Sequence, residues 1–397
     1  GIVRHYYENE LDQKEPETIS GQNRCIQQGI AVYLTEESYN NDRNELKTLI
    51  DIEYLKRESS KENLLEYMMY FDNFFTDNWI LNLCSFPNLE ISTILRVLSG
   101  VRTKKSYETS FHFQNKNSLM LCSFRAYQRE IQEIFNLRIE DLIVHFFSNY
   151  SKEHFSINWL SLDFASKSEK MNIQTKNLFI IEEQVRKQWS LYVSENEVDK
   201  ELYELETTPS INSLRSLLDR KYIYVNTENE NIQRIMDLLF SDQSHISYIN
   251  ENLKGDNFWQ LYINNKIKKT DFSSWQQLNI DFLIDNDVIS VDKEENIFIT
   301  QKQSLRVLII SNIYNYGVIH YYNFNKKLSK KKWIEGQQQE IDEMIEEGLL
   351  IYDNTLFAKP EAEYLNYILN DSEFDNALGL RNKYLHGSII KEYEIDY

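Results

Sequence analysis

Apolar side chains recur every three to four residues through much of this chain, which is the spacing that places them on one face of a helix. Between residues 63 and 150 the pattern is formed by positions such as Leu64, Leu65 and Met68. It is interrupted near Asn136. This part of the chain is therefore predicted to be helical, with a break at Asn136.

The regions before and after this helical pattern differ from each other. Residues 1–62 hold few apolar positions before Leu46, so they are predicted to form a polar lead-in with one helix near residues 42–57. Beyond residue 150 the helical spacing returns, interrupted by one short run of the aromatic and β-branched residues that favour strands. The pattern predicts helices at 178–193, 210–218 and 232–240 and a strand at 222–225.

The last third alternates helical spacing with pairs of short apolar runs. Gly348 is placed to end one helix, because glycine adopts the left-handed backbone that often follows a helix. Pro360 is placed to begin the next, because proline suits the first helical turn. Helices are predicted at 271–284, 304–324, 329–347, 360–369 and after the N-cap signal at 372–375, with β-hairpins at 287–299 and 349–357. The predicted fold is mainly α, with multi-helical bundles and small, winged-helix-like β-hairpins in the C-terminal third.

Length and charge limit what the chain can be. At about 100–200 residues per domain, its 397 residues predict two or three domains. The expected division is 1–62, 63–250 and 251–397. The 43 Lys and Arg residues against 62 Asp and Glu give a net charge of −19. A chain this acidic repels phosphate on average, so a nucleic-acid site must be a local basic island.

Several other classes are excluded by what the sequence lacks. Its three cysteines lie far apart and no Cys/His group has the spacing of zinc ligands, which fits a reducing compartment. No glycine-rich phosphate loop occurs, which argues against an ATPase or a dinucleotide-binding enzyme. No stretch approaches the roughly 18 apolar residues of a membrane span. We therefore expect a cytoplasmic protein without membrane contact, metal or cofactor.

The segment Leu380-Arg381-Asn382-Lys383-Tyr384-Leu385-His386-Gly387 carries the strongest candidate for chemistry. On a helix Asn382 and His386 are four positions apart and share a face. Arg381 lies about 140° from His386 around the helix, but its long side chain can reach the same groove. Leu385 would pack on a neighbouring helix. The three polar residues are therefore predicted to meet at one groove.

An Arg, a polar residue and a His five positions after the Arg resemble the Arg-x4–6-His motif of the HEPN superfamily. The resemblance covers roughly the last 80–100 residues. It implies a small all-helical domain with metal-independent endoribonuclease activity, a hydrolase of bacterial anti-phage defence or abortive infection. It also implies a homodimer through the C-terminal helical domain, RNA as substrate with tRNA as one candidate, and a trigger protein from phage or host. Residues 63–250 would then sense the trigger or restrain the nuclease.

The residue types suit such a reaction. A histidine transfers protons near neutral pH, so His386 would act as base or acid on the ribose and leaving-group oxygens. Arginine is a permanently charged, planar cation that holds phosphate, so Arg381 would stabilise the charge on the reacting phosphorus. Asn382 would orient His386 or contact phosphate. The expected product carries a 2′,3′-cyclic phosphate.

One basic island stands out in this acidic chain. Five of the seven residues between 326 and 332 are lysines, namely Lys326, Lys327, Lys330, Lys331 and Lys332. As a binding site, this island would guide an RNA backbone, and each phosphate contact would be sensitive to salt. As a plain structural feature, it would be the solvated start of a helix.

Other interpretations of the same residues stay open. In one alternative Arg381 has a structural role and forms a salt bridge with Glu373 or Asp375, while His386 caps a helix end. The chain would then be a non-catalytic helical module that binds a partner or nucleic acid in a defence complex. A nucleotide-binding or nucleotide-transferring protein is a third alternative. Arg138 and His145 also fit the motif spacing, but Ile139 fills the polar position, so they are predicted to be ordinary exposed residues.

Overall fold

A computed structural model describes residues 25–28, 30–34, 48, 49, 52–57, 59–71, 76, 77, 80, 81, 106, 107, 109, 111–324 and 331–385. Most of the predicted polar lead-in lies outside these residues. The helix predicted near residues 42–57 is described only in its last part, as Ile52–Arg57, and Thr48–Leu49 before it is a strand.

The described part of the chain is mainly helical, and its strands are short and antiparallel where they pair. The α-helices are α1 Ile52–Arg57, α2 Lys61–Tyr70, α3 Phe111–Phe135, α4 Ile139–His145, α5 Ser151–Phe155, α6 Met171–Glu195, α7 Lys200–Leu205, α8 Glu230–Phe240, α9 Phe258–Asn264, α10 Ser274–Asp285, α11 Gln301–Tyr316, α12 Lys331–Glu346, α13 Lys359–Leu369 and α14 Leu380–Leu385. The strands are β1 Cys25–Gln28, β2 Ile30–Leu34, β3 Thr48–Leu49, β4 Thr76–Asp77, β5 Ile80–Leu81, β6 Tyr222–Val225, β7 Tyr248–Asn250, β8 Leu253–Lys254, β9 Ser290–Val291, β10 Ile297–Phe298, β11 Ile319–His320 and β12 Leu350–Asp353. The predicted mainly-α class with small β-elements is confirmed.

The chain divides into two compact units. The first consists of Gly1–Asp77, Phe111–Pro209 and Leu380–Tyr397, and the second of Asn78–Ser110 and Ser210–Gly379. The domain division at residues 62 and 250 that the sequence suggests stays a prediction. Among the residues that the structure describes, no helix combines the length and the apolar character that crossing a membrane requires.

The first unit is held together by apolar residues of α2, α3 and α4. Leu64 and Leu65 of α2 are buried in one cluster with Tyr127 and Ile131 of α3 and Leu142 of α4. Burial of such side chains away from water is the main force that stabilises a helical bundle. The Tyr127 hydroxyl also donates a hydrogen bond to the carbonyl of Leu64, which fixes α3 against α2.

The predicted break at Asn136 is confirmed. Helix α3 ends at Phe135, and Asn136 adopts a left-handed backbone with φ of 53°. Asparagine tolerates this conformation better than most residues because its short polar side chain bonds locally. The chain resumes as α4 at Ile139, and a π-helical turn at Phe146–Tyr150 leads into α5.

The second unit contains a three-stranded sheet in which β6 lies between β11 and β12. Tyr222 of β6 lies opposite His320 on one side and Asp353 on the other. The strand predicted at 222–225 is therefore confirmed. The local hairpin predicted at 349–357 is wrong, because β12 pairs with β6 while Thr355 forms a bridge with Arg215.

Three predicted helices differ from those observed. The helix predicted at 210–218 is only a 3-10 turn at Ile211–Ser213, and Leu214 after it is extended to pair with Leu356. The helix predicted at 304–324 ends at Tyr316, because Gly317 turns left-handed with φ of 77°. The last helix starts at Leu380, after Gly379, rather than near Ser372.

Other local predictions hold in the second unit. The hairpin predicted at 287–299 exists as β9 and β10, with Val291 opposite Ile297. Helix α12 ends before Gly348, which has the expected left-handed backbone with φ of 73°. Helix α13 has Pro360 in its first turn and ends at Leu369. These signals depend on a few neighbouring residues, so the sequence around them is enough to predict them.

An ion pair joins α11 to α12 inside the second unit. Arg306 Nε donates to Oε1 of Glu340 at 2.8 Å, and Arg306 Nη2 donates to Oε1 of Glu347 at 2.8 Å. The side chains of Arg306 and Glu340 are each only 4% exposed. Burial alone would lower the pKa of the Arg306 guanidinium, but its hydrogen bonds to Glu347 and Glu340 outweigh that effect and raise it. The guanidinium therefore stays charged inside the unit.

Candidate functional site

Helix α14 carries Arg381 and Asn382, the two motif residues that the structure describes, and it packs against the long helix α6. Tyr384 of α14 is buried against Phe179 of α6, with ring centroids 5.6 Å apart. Arg381 and Tyr384 are three positions apart, so they lie on neighbouring turns of the same side of α14. The aromatic contact therefore sets the position at which the Arg381 side chain meets α6.

Arg381 forms an ion pair with Glu183 of α6. Its Nε donates to Oε1 of Glu183, and its Nη2 contacts the same oxygen. The two side chains are 27% and 25% exposed, so the pair lies at the border between protein and solvent. The carboxylate that holds Arg381 is thus that of Glu183. The structural alternative predicted a salt bridge with Glu373 or Asp375, and that partner is wrong.

Two further residues lie beside Glu183. Burial is the main cause that raises the pKa of the Tyr203 hydroxyl on α7, and the negative charge of Glu183 is the second cause. The Nζ atom of Lys187, one turn after Glu183 on α6, lies 4.4 Å from the centre of the Tyr203 ring. Arg381, Glu183, Lys187 and Tyr203 form what we call the Arg381 cluster.

Sequence reasoning missed three members of this cluster. Glu183 and Lys187 do leave a signal, since an acidic and a basic residue four positions apart share one helix face. Nothing in the sequence, however, connects that face of α6 to the Arg381 segment. Tyr203 leaves no signal of its own.

The Arg381 cluster has the chemistry to hold an anion. Arginine has five N–H donors, more than one carboxylate oxygen uses. A guanidinium fixed by Glu183 and partly open to solvent can therefore hold a phosphate oxygen as well. The Lys187 ammonium adds a second positive charge on the neighbouring helix.

The rest of the predicted catalytic group is only partly described. Asn382 follows Arg381 on α14 and is half-buried. His386 lies outside the described residues. The meeting of Arg381, Asn382 and His386 at one groove therefore stays a prediction.

The lysine island is described only at its end. Lys331 and Lys332 are the first residues of α12. This position agrees with the structural interpretation, in which the island is the start of a helix. Lys326, Lys327 and Lys330 lie outside the described residues. A role of the island in RNA binding stays a prediction.

Arg138, the arginine of the second Arg/His pair, has a structural role. The Arg138 side chain is largely buried, so the prediction of an ordinary exposed residue is wrong for it. Its Nη1 atom lies 3.8 Å from the Glu140 carboxylate and donates to Gln174 of α6 at 3.5 Å. Its backbone N–H donates to Asp141, which caps the first turn of α4. Arg138 thus connects the start of α4 to α6.

Within the ranges that the structure describes, no three His, Cys, Asp or Glu side chains are grouped so as to hold a metal ion. Comparisons of the chain with models of known protein families, with curated protein sequences and with solved structures find no match.

Proposed function

We propose that this chain is a HEPN-like, metal-independent endoribonuclease that cleaves RNA to 2′,3′-cyclic phosphate ends. The observation that carries the proposal is the Arg381 guanidinium, fixed by Glu183 at the border of solvent on a packed pair of helices. A fixed, partly exposed cation suits the stabilisation of charge that develops on a phosphate. The biological role that we propose is bacterial anti-phage defence or abortive infection in the cytoplasm.

The proposed reaction is an internal transfer at phosphorus. The ribose 2′-oxygen loses its proton to a base and attacks the adjacent phosphorus, while the bond to the 5′-oxygen breaks and that oxygen takes up a proton. We assign the proton transfers to His386 and the binding of the non-bridging phosphate oxygens to Arg381. Asn382 orients the imidazole or contacts the phosphate.

Glu183 has a positioning role in this proposal. It fixes the guanidinium plane through Nε and Nη2. Arginine carries substantial rotamer freedom that it must lose to bind substrate. An arginine that is already held in place gives up less freedom when it binds phosphate, which favours binding.

We further propose an RNA substrate, with tRNA as one candidate, and a homodimer formed through the C-terminal helices. A second copy of α14 and His386 across a two-fold axis would bring two such sites together. A trigger protein from phage or host would act through the remainder of the chain.

Residues 258–298 are proposed to form a winged-helix-like element. Helix α9 is followed by a bridge between Lys268 and Asn296, then by α10 and the β9–β10 hairpin. Ile297 N–H also donates to the carbonyl of Ile267 at 3.0 Å, so the segment around Lys268 pairs with the edge of the hairpin. This order of helix, bridge, helix and hairpin supports the proposal.

The proposed function is tested by incubating the purified chain with end-labelled tRNA and bulk RNA in excess EDTA. We expect cleavage that continues in EDTA, products with cyclic phosphate ends, and loss of both in His386→Ala. The ends are identified by their resistance to polynucleotide tailing until the cyclic phosphate is opened and removed. A folded dimer that leaves every RNA intact would contradict the proposal.

The lysine island gives a second expected result. Changing Lys326, Lys327, Lys330, Lys331 and Lys332 to Glu should weaken RNA binding and flatten its dependence on salt. Each lost contact to a single-stranded phosphate should lower the slope of log K against log salt by about 0.7. Both quantities are measured by fluorescence anisotropy of labelled RNA over a salt series.

Net charge must be separated from local contact in that experiment. The control variant reverses five exposed lysines elsewhere and has the same net charge, at positions Lys152, Lys167, Lys170, Lys176 and Lys200. It should weaken binding without the same loss of slope. Equal effects of the two variants would assign the result to net charge and contradict a specific role for the island.

A second candidate function is a non-catalytic helical module of a defence complex, which binds a partner or nucleic acid. The specific observation in its favour is the same ion pair, since a bond from Arg381 to Glu183 also joins α14 to α6 without any chemistry. Such a module should keep its function in Arg381→Ala and His386→Ala. The nuclease should lose cleavage in both.

A further inference from the structure

Four exposed side chains, three of them large and mainly apolar, lie near the start of helix α10 in the second unit. They are His245, Tyr248, Trp275 and Leu278, and we call them the Trp275 surface. Tyr248 is 52%, Trp275 54% and Leu278 68% exposed. Trp275 and Leu278 are three positions apart on α10 and so share one face.

The Trp275 surface is built on a fixed scaffold. Gln276 is buried, and its Nε2 donates to the carbonyls of both His245 and Tyr248 at 2.8 Å. Its Oε1 accepts from the backbone N–H and the hydroxyl of Ser273, which caps the start of α10. The rings of His245 and Trp275 meet edge to face at 5.9 Å. The backbone that carries the exposed groups is therefore held in place before any partner arrives, which lowers the entropy lost on binding.

The charges around this surface favour a cationic partner over nucleic acid. Helix α10 contains no Lys or Arg, and Asp281 and Asp285 follow Leu278 along it. The two segments that build the surface, 241–256 and 269–285, contain six acidic residues and two lysines. Arg234 of α8 donates to Asn279, next to Leu278, and adds one positive charge, so 3 − 6 gives a net charge of −3. One of these lysines, Lys269, is already paired with Asp281. Phosphate would be repelled here.

We propose that the Trp275 surface docks a cationic, amphipathic helix of a partner protein. Tryptophan and tyrosine are the residues that most often dominate binding energy at protein interfaces. An apolar stripe on the partner would cover Trp275 and Leu278, and Lys or Arg residues beside that stripe would face the acidic surroundings. The proposal is independent of RNA cleavage, because it involves no residue of the proposed catalytic group.

The test uses the full chain and two short fluorescent peptides with leucines at the same helical positions. One peptide carries lysine at all other positions and the other carries glutamate. We expect the lysine peptide to bind the wild-type chain and the glutamate peptide not to bind, as measured by anisotropy at physiological salt. The double variant Trp275→Ala/Leu278→Ala should weaken binding of the lysine peptide by about tenfold or more.

A matched control separates this surface from general attraction to an acidic chain. The variant Leu205→Ala/Leu217→Ala removes two leucines that are also well exposed, and it should change affinity by less than about twofold. A second variant, Leu278→Lys, should repel the lysine peptide. Equal losses in the two double variants, or binding that survives Trp275→Ala/Leu278→Ala, would overturn the proposal. So would binding of duplex DNA or RNA that depends on Trp275 and Leu278.

Discussion

Replacement of Arg381 by alanine is expected to lower the rate of RNA cleavage by about 10²- to 10³-fold, because one preoriented donor to a developing charge contributes that much to catalysis. The guanidinium is held by Glu183, so the variant removes a cation whose position is already fixed in the wild-type chain. The measurement is the initial rate of cleavage of end-labelled RNA in EDTA. Circular dichroism verifies that the variant is folded.

Two further variants identify what the arginine contributes. Lys383 is an exposed cation on the same helix, so Lys383→Ala removes one positive charge at nearly the same place and should leave most of the activity. Arg381→Lys keeps the charge but loses the planar fork of donors, so it should recover only part of the rate. If Lys383→Ala is as damaging as Arg381→Ala, the effect is one of general charge, and the proposed catalytic role of Arg381 is wrong.

The local signals of the sequence were sufficient for much of the fold. The interruption at Asn136, the end of α12 before Gly348 and the start of α13 around Pro360 were all predicted correctly. Each depends on the backbone preference of one residue and on the apolar spacing of its neighbours. Such information is contained within a few positions of the chain.

The errors arose where distant segments meet. The pattern predicts residues 349–352 as one strand of a local hairpin, but the strand there, Leu350–Asp353, pairs with β6, far earlier in the chain. Leu214 lies in a stretch with helical spacing, and it is extended because it pairs with Leu356. In both places pairing in the tertiary structure overrides the local preference, and the sequence pattern carries no record of the partner.

The candidate site shows the same limit. The motif identifies Arg381 as a candidate, and the structural alternative predicts that it forms a salt bridge with the nearby Glu373 or Asp375. Its partner is Glu183, which is 198 positions earlier in the chain. The packing of Tyr384 on Phe179 brings the two helices together, and neither aromatic residue differs in the sequence from an ordinary core residue.

The substitution Glu340→Leu is expected to destabilise the second unit by about 3 kcal/mol, because removal of one member of a buried ion pair costs about 3–5 kcal/mol. It leaves the buried Arg306 guanidinium with Glu347 as its remaining carboxylate partner, and that contact places the loss at the lower end of the range. The free energy of unfolding is measured by urea denaturation. Hydrogen exchange of the amides in α11 and α12 reports whether the loss is local to these helices.

The double variant Arg306→Met/Glu340→Leu should be more stable than Glu340→Leu alone. In Glu340→Leu the Arg306 guanidinium is a buried charge that has lost one of its partners, and the double variant removes this charge as well. Apolar side chains of similar volume can replace a buried ion pair at little cost. A double variant that is less stable than Glu340→Leu would mean that Arg306 stabilises the unit mainly through its contact with Glu347.

The pair formed by Lys302 and Glu343 supplies the matched control, because it joins the same two helices at 2.7 Å but its side chains are 51% and 35% exposed. Glu343→Gln should change the unfolding free energy little, and added salt should weaken the contact between Lys302 and Glu343 because solvent ions screen it. The contact between Arg306 and Glu340 is shielded from solvent ions, so the loss in Glu340→Leu should be nearly independent of salt. If Glu340→Leu is no more damaging than Glu343→Gln, the buried pair does not hold α11 to α12, and the apolar core alone accounts for their packing.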